Sequence, residues 1–197
     1  DLNIVLFVGR GTSNGHAFRD GNRFVVWLPV ETYDSPMLAR VFVTHEIIHA
    51  LHYTACPEFY FDSQQELRRV SRRLITEGIA TYMAMRILEI DELTALWADY
   101  LPDDKADRWF NECRTSEKEI FANLLANFST CNPDFGLFYA SDPNDIFKFR
   151  AGYFAGLRLV EQLVEENNIE LTELLAIQRD RFEKLLIERL RRIRFTG

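Results

Sequence analysis

The chain has 197 residues, of which 47% are apolar, and a formal net charge of −7. It therefore has enough apolar material for one domain with a buried core, whereas the acidic balance argues against a nucleic-acid partner, whose phosphates would repel the chain. No apolar run reaches the roughly 18 residues of a membrane-spanning helix, so we expect one domain over residues 1–197 without a membrane span.

The cysteines are few and far apart in the sequence. Cys56, Cys113 and Cys131 form no CxxC pair, which argues against both a cysteine zinc site and a disulfide framework. This pattern favours a reducing compartment, and we expect a cytoplasmic location. The chain enters a strand pattern directly after Asp1 without a recognisable signal peptide, so either an upstream segment has been removed or the chain is part of a longer protein.

The first part of the chain predicts two strands joined by a loop. The run NIVLFVG, residues 3–9, predicts a strand, and residues 10–22 form a loop dense in Gly, Asn and Asp. RFVVWLPVE, residues 23–31, predicts a second strand, and Pro29 favours an edge position because proline cannot donate to a ladder. Since peptide substrates commonly pair with a strand edge, we predict that this strand binds substrate. The alternative is an ordinary edge strand covered by a loop.

A helix from Ser35 to about residue 54 follows, with an N-cap serine and a proline in its first turn. It contains three of the four histidines, and His45, Glu46 and His49 form the pattern HExxH. Positions i and i+4 of a helix lie on one face, about 6 Å apart along the axis, so both imidazoles can reach one metal ion. Glu46 lies about 100° around the helix, where it can act as general base on a water molecule that the ion activates.

The same pattern has an ordinary explanation, because two histidines on an apolar helix could be core residues and HExxH also occurs by chance. A hydrolytic zinc site needs a third protein ligand and an open fourth position. His52 lies about 10 Å along the axis from His45, and zinc–nitrogen bonds are about 2 Å long, so one straight helix cannot bring all three histidines to one ion. We therefore predict that His52 packs beside the site or lines a pocket.

The third ligand is predicted on the next helix. SQQE, residues 63–66, predicts a capping box that opens a helix to about residue 90, broken near Thr76. Glu77 stands there among apolar residues, where a carboxylate is costly to bury unless it is paired or bound to metal. Gly78 costs up to about 1 kcal/mol relative to alanine in a helix, which close approach by another helix would explain. Glu77 is the predicted third ligand; a surface glutamate next to a helix break is the alternative.

The rest of the chain is predicted to be helical apart from one long loop. The predicted elements are a short helix after Asp91, one or two helices over 103–128, a loop over 132–145, and helices over 147–167 and 171–193. A loop of this length is often functional. The arginines of RRVSRR, residues 68–73, are interpreted as a solvated helix face. A small strand layer followed by a helical body predicts an α+β fold.

A tetrahedral intermediate also needs a hydrogen-bond donor for its oxyanion. Tyr153 in RAGYFAGLR is the predicted donor, because the small residues around it would let a substrate or another helix approach. His16 and Tyr139 are weaker candidates, both in predicted loops. A tyrosine at the start of an amphipathic helix is more often a core residue than a catalytic one, and this alternative stays open.

HEIIH followed by TEGIATY resembles the gluzincin branch of the zincin metallopeptidases, in which a Glu on the next major helix follows HExxH. AGYFAGLRLVEQL and LTELLAIQRDRFEKLL are similar, more specifically, to the DUF2268 family of predicted zinc proteases, from about residue 14 to about residue 190. The resemblance implies a zincin-like fold, a zinc ion and peptide hydrolysis. The metzincin branch does not fit, because its glycine and third histidine would fall at His52 and Ala55. Many gluzincins carry an Asp where this chain has Thr81, so the surroundings of the zinc histidines must be built otherwise.

The sequence thus predicts a zincin-like metallopeptidase in which His45, His49 and Glu77 hold Zn²⁺, and Glu46 moves a proton from water to the leaving amine. Zinc is preferred over Mn or Fe because two histidines, one glutamate and an open position are a hydrolytic zinc arrangement. The expected partner is a peptide or protein substrate. Two alternatives stay open: a zinc hydrolase with a non-peptide substrate, and a metal-binding or regulatory module without turnover.

Overall fold

A small sheet lies at the N-terminal end of the protein. The computed structural model describes residues 2–9, 15–132 and 134–195, and for residues 194 and 195 it describes only the backbone. Part of the predicted loop, residues 10–14, lies outside the described residues. The strands are β1 (Asn3–Phe7), β2 (His16–Asp20) and β3 (Arg23–Pro29), in the order β1-β3-β2. The central strand β3 pairs parallel with β1 and antiparallel with β2.

This topology corrects two predictions about the N-terminal region. β3 is the central strand and not an edge, because Pro29 is its last residue, where the missing N–H does not interrupt the ladder. Residues 16–20, predicted as loop, form β2. Gly21, at φ +61°, and Asn22 make a two-residue turn that pairs β2 with β3, and this hairpin chemistry decided the local structure.

The rest of the described chain is mainly helical. Their bounds are α1 Pro36–Ala55, α2 Gln64–Leu67, α3 Val70–Leu88, α4 Glu92–Trp97, α5 Asp103–Thr115, α6 Glu117–Asn127, α7 Ala151–Asn167, α8 Leu171–Ala176 and α9 Arg179–Phe195. The small sheet followed by this helical body confirms the predicted α+β fold. Among the described residues, no helix is both long and apolar enough to cross a membrane.

The boundary before α3 differs from the prediction. Ser63 does cap a helix, with its hydroxyl accepting from the Glu66 N–H, but α2 is only one turn long. α3 starts afresh at Val70, whose N–H donates to the Thr130 carbonyl oxygen, and it runs without a break through Thr76. A carbonyl from beyond the end of α6 thus satisfies one of the free amides that a helix start leaves, which the local sequence does not reveal.

The other corrections concern the C-terminal half. α7 begins at Ala151 and not at residue 147, because Arg150 adopts a left-handed conformation with φ 59° that separates it from a 3-10 turn over Ile146–Lys148. The predicted last helix is two helices, α8 and α9, interrupted at Ile177 and Gln178. The predicted loop of residues 132–145 is confirmed in outline for its described residues, which exclude residue 133, and it contains a 3-10 turn over Gly136–Phe138.

The helix pair α3 and α7 forms the centre of the helical body. At their crossing, a Cβ atom on Gly78 would lie 2.6 Å from the Gly156 carbonyl oxygen, and one on Gly156 would lie 2.8 Å from the Leu74 carbonyl oxygen. The two backbones are therefore in direct contact, which confirms the reason expected for Gly78. α1 packs against α3 and against β3, so α1, α3 and α7 bring their polar side chains to a common region.

Candidate metal centre

Three side chains from α1 and α3 converge at one point. The Nε2 atoms of His45 and His49 lie 3.1 Å apart, and Glu77 Oε2 lies 3.2 Å from the first and 3.4 Å from the second. Ligand atoms of all three residues lie within 4.8 Å of one another, and could hold one metal ion. The structure thus brings the three predicted ligands together, while their metal-binding role stays a prediction.

The protonation of these groups suits a cation. Burial lowers the pKa of His45 to about 4, against the hydrogen bond to Glu77, so the ring is neutral near pH 7. Burial opposes ionisation of Glu77, but the charge of His49 and the hydrogen bonds to both histidines hold its pKa well below the usual range. Glu77 in turn raises the pKa of His49 against the effect of burial. Imidazole nitrogens and an ionised carboxylate are ligands that Zn²⁺ takes, and the donor set therefore fits this ion.

Glu46 lies between the two histidines on α1 and faces β2. The Ala17 N–H donates to its carboxylate, and the Gly15 backbone is so near that a Cβ there would lie 2.6 Å from Glu46 Cγ. Burial, opposed by His49 and assisted by Glu77, raises the pKa of Glu46 to about 7. A carboxyl group with such a pKa can both accept and return a proton near neutral pH.

All four side chains face an open cavity of about 600 Å³. Two residues of β2, His16 and Ala17, also line this cavity. Because β2 is at the edge of the sheet, the strand edge next to the candidate site is β2 and not β3. The long loop also contributes Phe138, Tyr139 and Ala140 to the lining, so this loop helps to build the cavity.

The three candidates for the oxyanion donor all line the cavity. The Tyr153 ring centroid lies 6.4 Å from that of His45. Burial and the nearby Glu77 raise the pKa of Tyr153 to about 12, so its hydroxyl group keeps its proton. Tyr139 is 38% exposed, and His16 lies on β2 with its ring centroid 5.9 Å from that of Phe61. The assignment of the donor stays a prediction.

His52 is packed beside the centre. It is completely buried, and its ring centroid lies 4.4 Å from that of Phe59. Among the described residues, neither ring nitrogen of His52 has a hydrogen-bond partner, and the same holds for His49 Nδ1. Thr81, which stands where many gluzincins carry an Asp, is buried. In the described part of the chain no protein acceptor orients the His49 ring through its Nδ1.

Sequence reasoning missed an arginine wall of this cavity, which consists of Arg68, Arg72, Arg73 and Arg150. The prediction of a solvated face for residues 68–73 holds for the exposed Arg68 but is wrong for Arg72, which is only 3% exposed. Arg73 and Glu77 are four residues apart on α3 and therefore lie on the same face of the helix, which lines the cavity. That spacing could have revealed Arg73, whereas nothing local pointed to Arg150.

Arg72 connects the wall to the candidate ligands. Its guanidinium donates to the Phe59 carbonyl oxygen at 2.6 Å and to the Tyr53 hydroxyl at 2.9 Å. The Tyr53 ring stacks on His49, with an interplanar angle of 12° and centroids 5.8 Å apart. Arg72 therefore holds the aromatic side chain against which one candidate ligand rests.

The family comparison agrees with the site geometry. The family model DUF2268, described as a predicted Zn-dependent protease, matches residues 3–184 and so includes the residues of the candidate metal centre and Tyr153. No curated protein and no solved structure matches the chain. Since the matched range covers most of the sequence and contains two histidines and a glutamate that can hold one ion, the chain belongs to the DUF2268 family of predicted Zn-dependent proteases.

Proposed function

We propose that the protein is a zinc-dependent peptidase of the gluzincin type. The observation that carries this proposal is the convergence of His45, His49 and Glu77 within 4.8 Å, beside a second carboxyl group, that of Glu46, which is not needed as a ligand. Two histidines, one glutamate and an open cavity correspond to a zinc site with a free coordination position. The strand edge of β2 in the same cavity favours an extended peptide as the substrate.

The residues around the cavity have different roles in the proposed hydrolysis. When bound, a zinc ion would polarise the scissile carbonyl and lower the pKa of a water molecule. Glu46 takes a proton from the attacking water and returns it to the leaving amine, which its pKa of about 7 permits. The Ala17 N–H orients the Glu46 carboxylate. The protonated hydroxyl of Tyr153 donates to the developing oxyanion.

The first test measures zinc and hydrolysis together. The protein is dialysed against chelator, reloaded with Zn²⁺, and assayed on casein and on quenched fluorescent peptides. We expect hydrolysis only in the reloaded protein. Glu46→Gln should keep its zinc, because none of the proposed metal ligands is changed. Its kcat should fall by at least ~10²-fold, because glutamine cannot accept a proton from water. Glu77→Ala should lose zinc, since it removes a ligand.

Glu119→Gln is the matched control, because Glu119 is exposed on α6, outside the cavity lining. Near-stoichiometric zinc in Glu77→Ala would remove Glu77 from the ligand set. Parental activity in Glu46→Gln would exclude it as the general base. Tight zinc binding without cleavage of any peptide would favour the regulatory module over the peptidase.

A further inference from the structure

The cavity beside the candidate metal centre has an excess of positive charge. The four guanidinium groups of the arginine wall line it, and the acidic residues of its lining are Glu46 and Glu77. The chain as a whole is acidic, with a net charge of −7, so the excess is local. Within the described residues none of these four arginines forms an ion pair, whereas arginines elsewhere do, such as Arg158 with Glu92.

The four arginines are held in different ways. Arg72 is buried and donates hydrogen bonds to the Phe59 carbonyl oxygen and the Tyr53 hydroxyl, so it stabilises the wall. Arg68 is exposed. Arg73 and Arg150 are half-buried and lie against aromatic rings. These last two are therefore the guanidinium groups that are both fixed in place and accessible from the cavity.

Arg150 is held almost entirely by ring contacts. Its guanidinium carbon lies 4.3 Å from the ring centroid of Tyr153 and 4.6 Å from that of Trp97. No hydrogen bond of its side chain is formed within the described residues. Because a guanidinium group has five N–H donors along its edges, a group held through its face keeps those donors for a ligand.

Arg73 is held in a similar way on the neighbouring part of the wall. Its guanidinium carbon lies 4.6 Å from the Phe138 ring centroid and 4.7 Å from that of Tyr139. One donor goes to the Phe138 carbonyl oxygen at 3.0 Å, and the remaining donors make no other hydrogen bond in the described part of the chain. The Phe138 ring centroid lies 6.2 Å from that of Tyr153, so Arg150 contacts the ring of the proposed oxyanion donor directly and Arg73 contacts a ring beside it.

A guanidinium group binds an anionic group through two parallel charge-assisted hydrogen bonds, and in an unmodified peptide that anionic group is a carboxylate. Partial burial strengthens this attraction, since solvent screens it less. We propose that Arg73 and Arg150 form a carboxylate-binding subsite next to the scissile bond, and that the protein prefers peptides that carry a carboxylate there. The carboxylate is either the free C-terminus or an Asp or Glu side chain. This inference rests on the proposed peptidase function.

The test compares matched peptides that differ in one carboxylate. Decapeptides of an otherwise neutral sequence carry a single Glu or Gln at successive positions, and each is made with a free and with an amidated C-terminus. The zinc-loaded protein cleaves them, mass spectrometry locates the cleaved bond, and kcat/KM is measured for each pair. We expect the carboxylate member of one pair to be cleaved on the order of tenfold faster, with a preference that falls as salt is raised.

Variants assign this preference to the two residues. Arg73→Gln and Arg150→Gln should each lower the ratio of kcat/KM within the preferred pair towards one, and Arg150→Lys should restore it only in part because lysine lacks the planar fork. Arg86→Gln is the control: Arg86 is exposed on the same helix as Arg73 and does not line the cavity. Its ratio of kcat/KM within the preferred pair should equal that of the parent.

The same peptides show which carboxylate is recognised. A preference for the free C-terminus over the amide identifies the terminal carboxylate, and a preference for Glu over Gln identifies a side chain.

A binding measurement separates this inference from the proposed function. Zinc-loaded Glu46→Gln is titrated into the same peptides, labelled with an uncharged fluorophore, and the fluorescence anisotropy is recorded. Tighter binding of the carboxylate member, lost in Glu46→Gln/Arg150→Gln, supports the subsite. This support would hold even if the parent protein hydrolysed no peptide, an outcome that would count against the peptidase. Equal binding and equal kcat/KM of all pairs would overturn the subsite and leave the peptidase standing.

Discussion

At the scale of single residues, the hydroxyl of Tyr153 is the group whose role the geometry constrains least, because Tyr139 and His16 line the same cavity. Tyr153→Phe should lower kcat on the order of 10²-fold, about 2.7 kcal/mol, since an oxyanion donor acts mainly in the transition state. KM, zinc content and melting temperature should hardly change, because the ring and its packing remain. Steady-state kinetics on a cleaved peptide provides the measurement.

Tyr139→Phe is the control for this prediction, because it removes the runner-up hydroxyl from the cavity wall. A loss of kcat in Tyr139→Phe with parental kinetics in Tyr153→Phe would transfer the role to the loop tyrosine. If both variants keep the parental kcat, neither phenol stabilises the oxyanion, and His16 becomes the next candidate.

His52 predicts an acid sensitivity of the fold. Burial, with smaller contributions from His49 and Arg72, lowers its pKa from the usual 6.5 to about 3. At pH values between about 3 and 6.5, His52 is protonated in the unfolded chain but not in the folded protein. The free energy of unfolding therefore falls as pH drops below 6.5. From pH 7 to pH 5 this residue should account for a loss of up to about 2 kcal/mol.

His52→Leu tests this by urea unfolding at both pH values. The variant should lose less stability between pH 7 and pH 5, and should be no less stable at pH 7, because leucine brings no polar atoms into the core beside Phe59. Chelator is present throughout, so that the titration of His45, which occurs in both proteins, cancels in the comparison. An equal pH dependence of parent and variant would show that His52 is not the acid-sensitive group.

At the scale of elements, the crossing of α3 and α7 positions the site, because Gly78 adjoins Glu77 and Gly156 lies one turn after Tyr153. Gly156→Ala should destabilise the protein by about 1–3 kcal/mol, since the added Cβ meets backbone atoms of α3 that cannot move independently. It should also lower activity by shifting Tyr153 relative to the ligands. Urea unfolding and peptide hydrolysis measure the two effects.

The sign of the stability change makes this prediction decisive. In an unobstructed helix, alanine in place of glycine stabilises by up to about 1 kcal/mol. Ala122→Gly, at an exposed position of α6, measures that propensity effect within this protein. A more stable Gly156→Ala would mean that the two helices do not touch through their glycines.

At the scale of the whole molecule, a bound ion would connect α1 to α3, two elements that a short irregular segment and α2 separate in the chain. Because an ion held at the proposed site would bind only the folded state, saturation with zinc should raise the free energy of unfolding by about 4 kcal/mol at a thousandfold excess over Kd. For a chain of this length that corresponds to a melting temperature roughly 10 °C higher. Thermal unfolding with zinc and with chelator measures the shift, which Glu77→Ala should abolish and Glu119→Gln should keep.

Much of the candidate centre could be predicted from the sequence because its parts depend on local geometry. His45 and His49 are one turn apart on a helix that Ser35 caps, and any helix with that spacing presents both rings on one face. Glu77 was predictable because a carboxylate among apolar residues requires a partner. The glycine after it, Gly78, indicated the close helix contact that the structure contains.

The tertiary structure alone decided which groups surround this centre. The β2–β3 hairpin made β2 the strand edge in the cavity, although Pro29 pointed to β3, because strand order depends on pairing between distant segments. The packing of α7 on α3 brought Arg150 and Tyr153 to the cavity that Glu77 lines. The sequence by itself determined the α+β class and the set of candidate ligands, which follow from short-range periodicity. In the arginine wall, the spacing from Glu77 could have revealed Arg73, but Arg150 reaches the cavity through contacts between residues far apart in the chain, which no local pattern encodes.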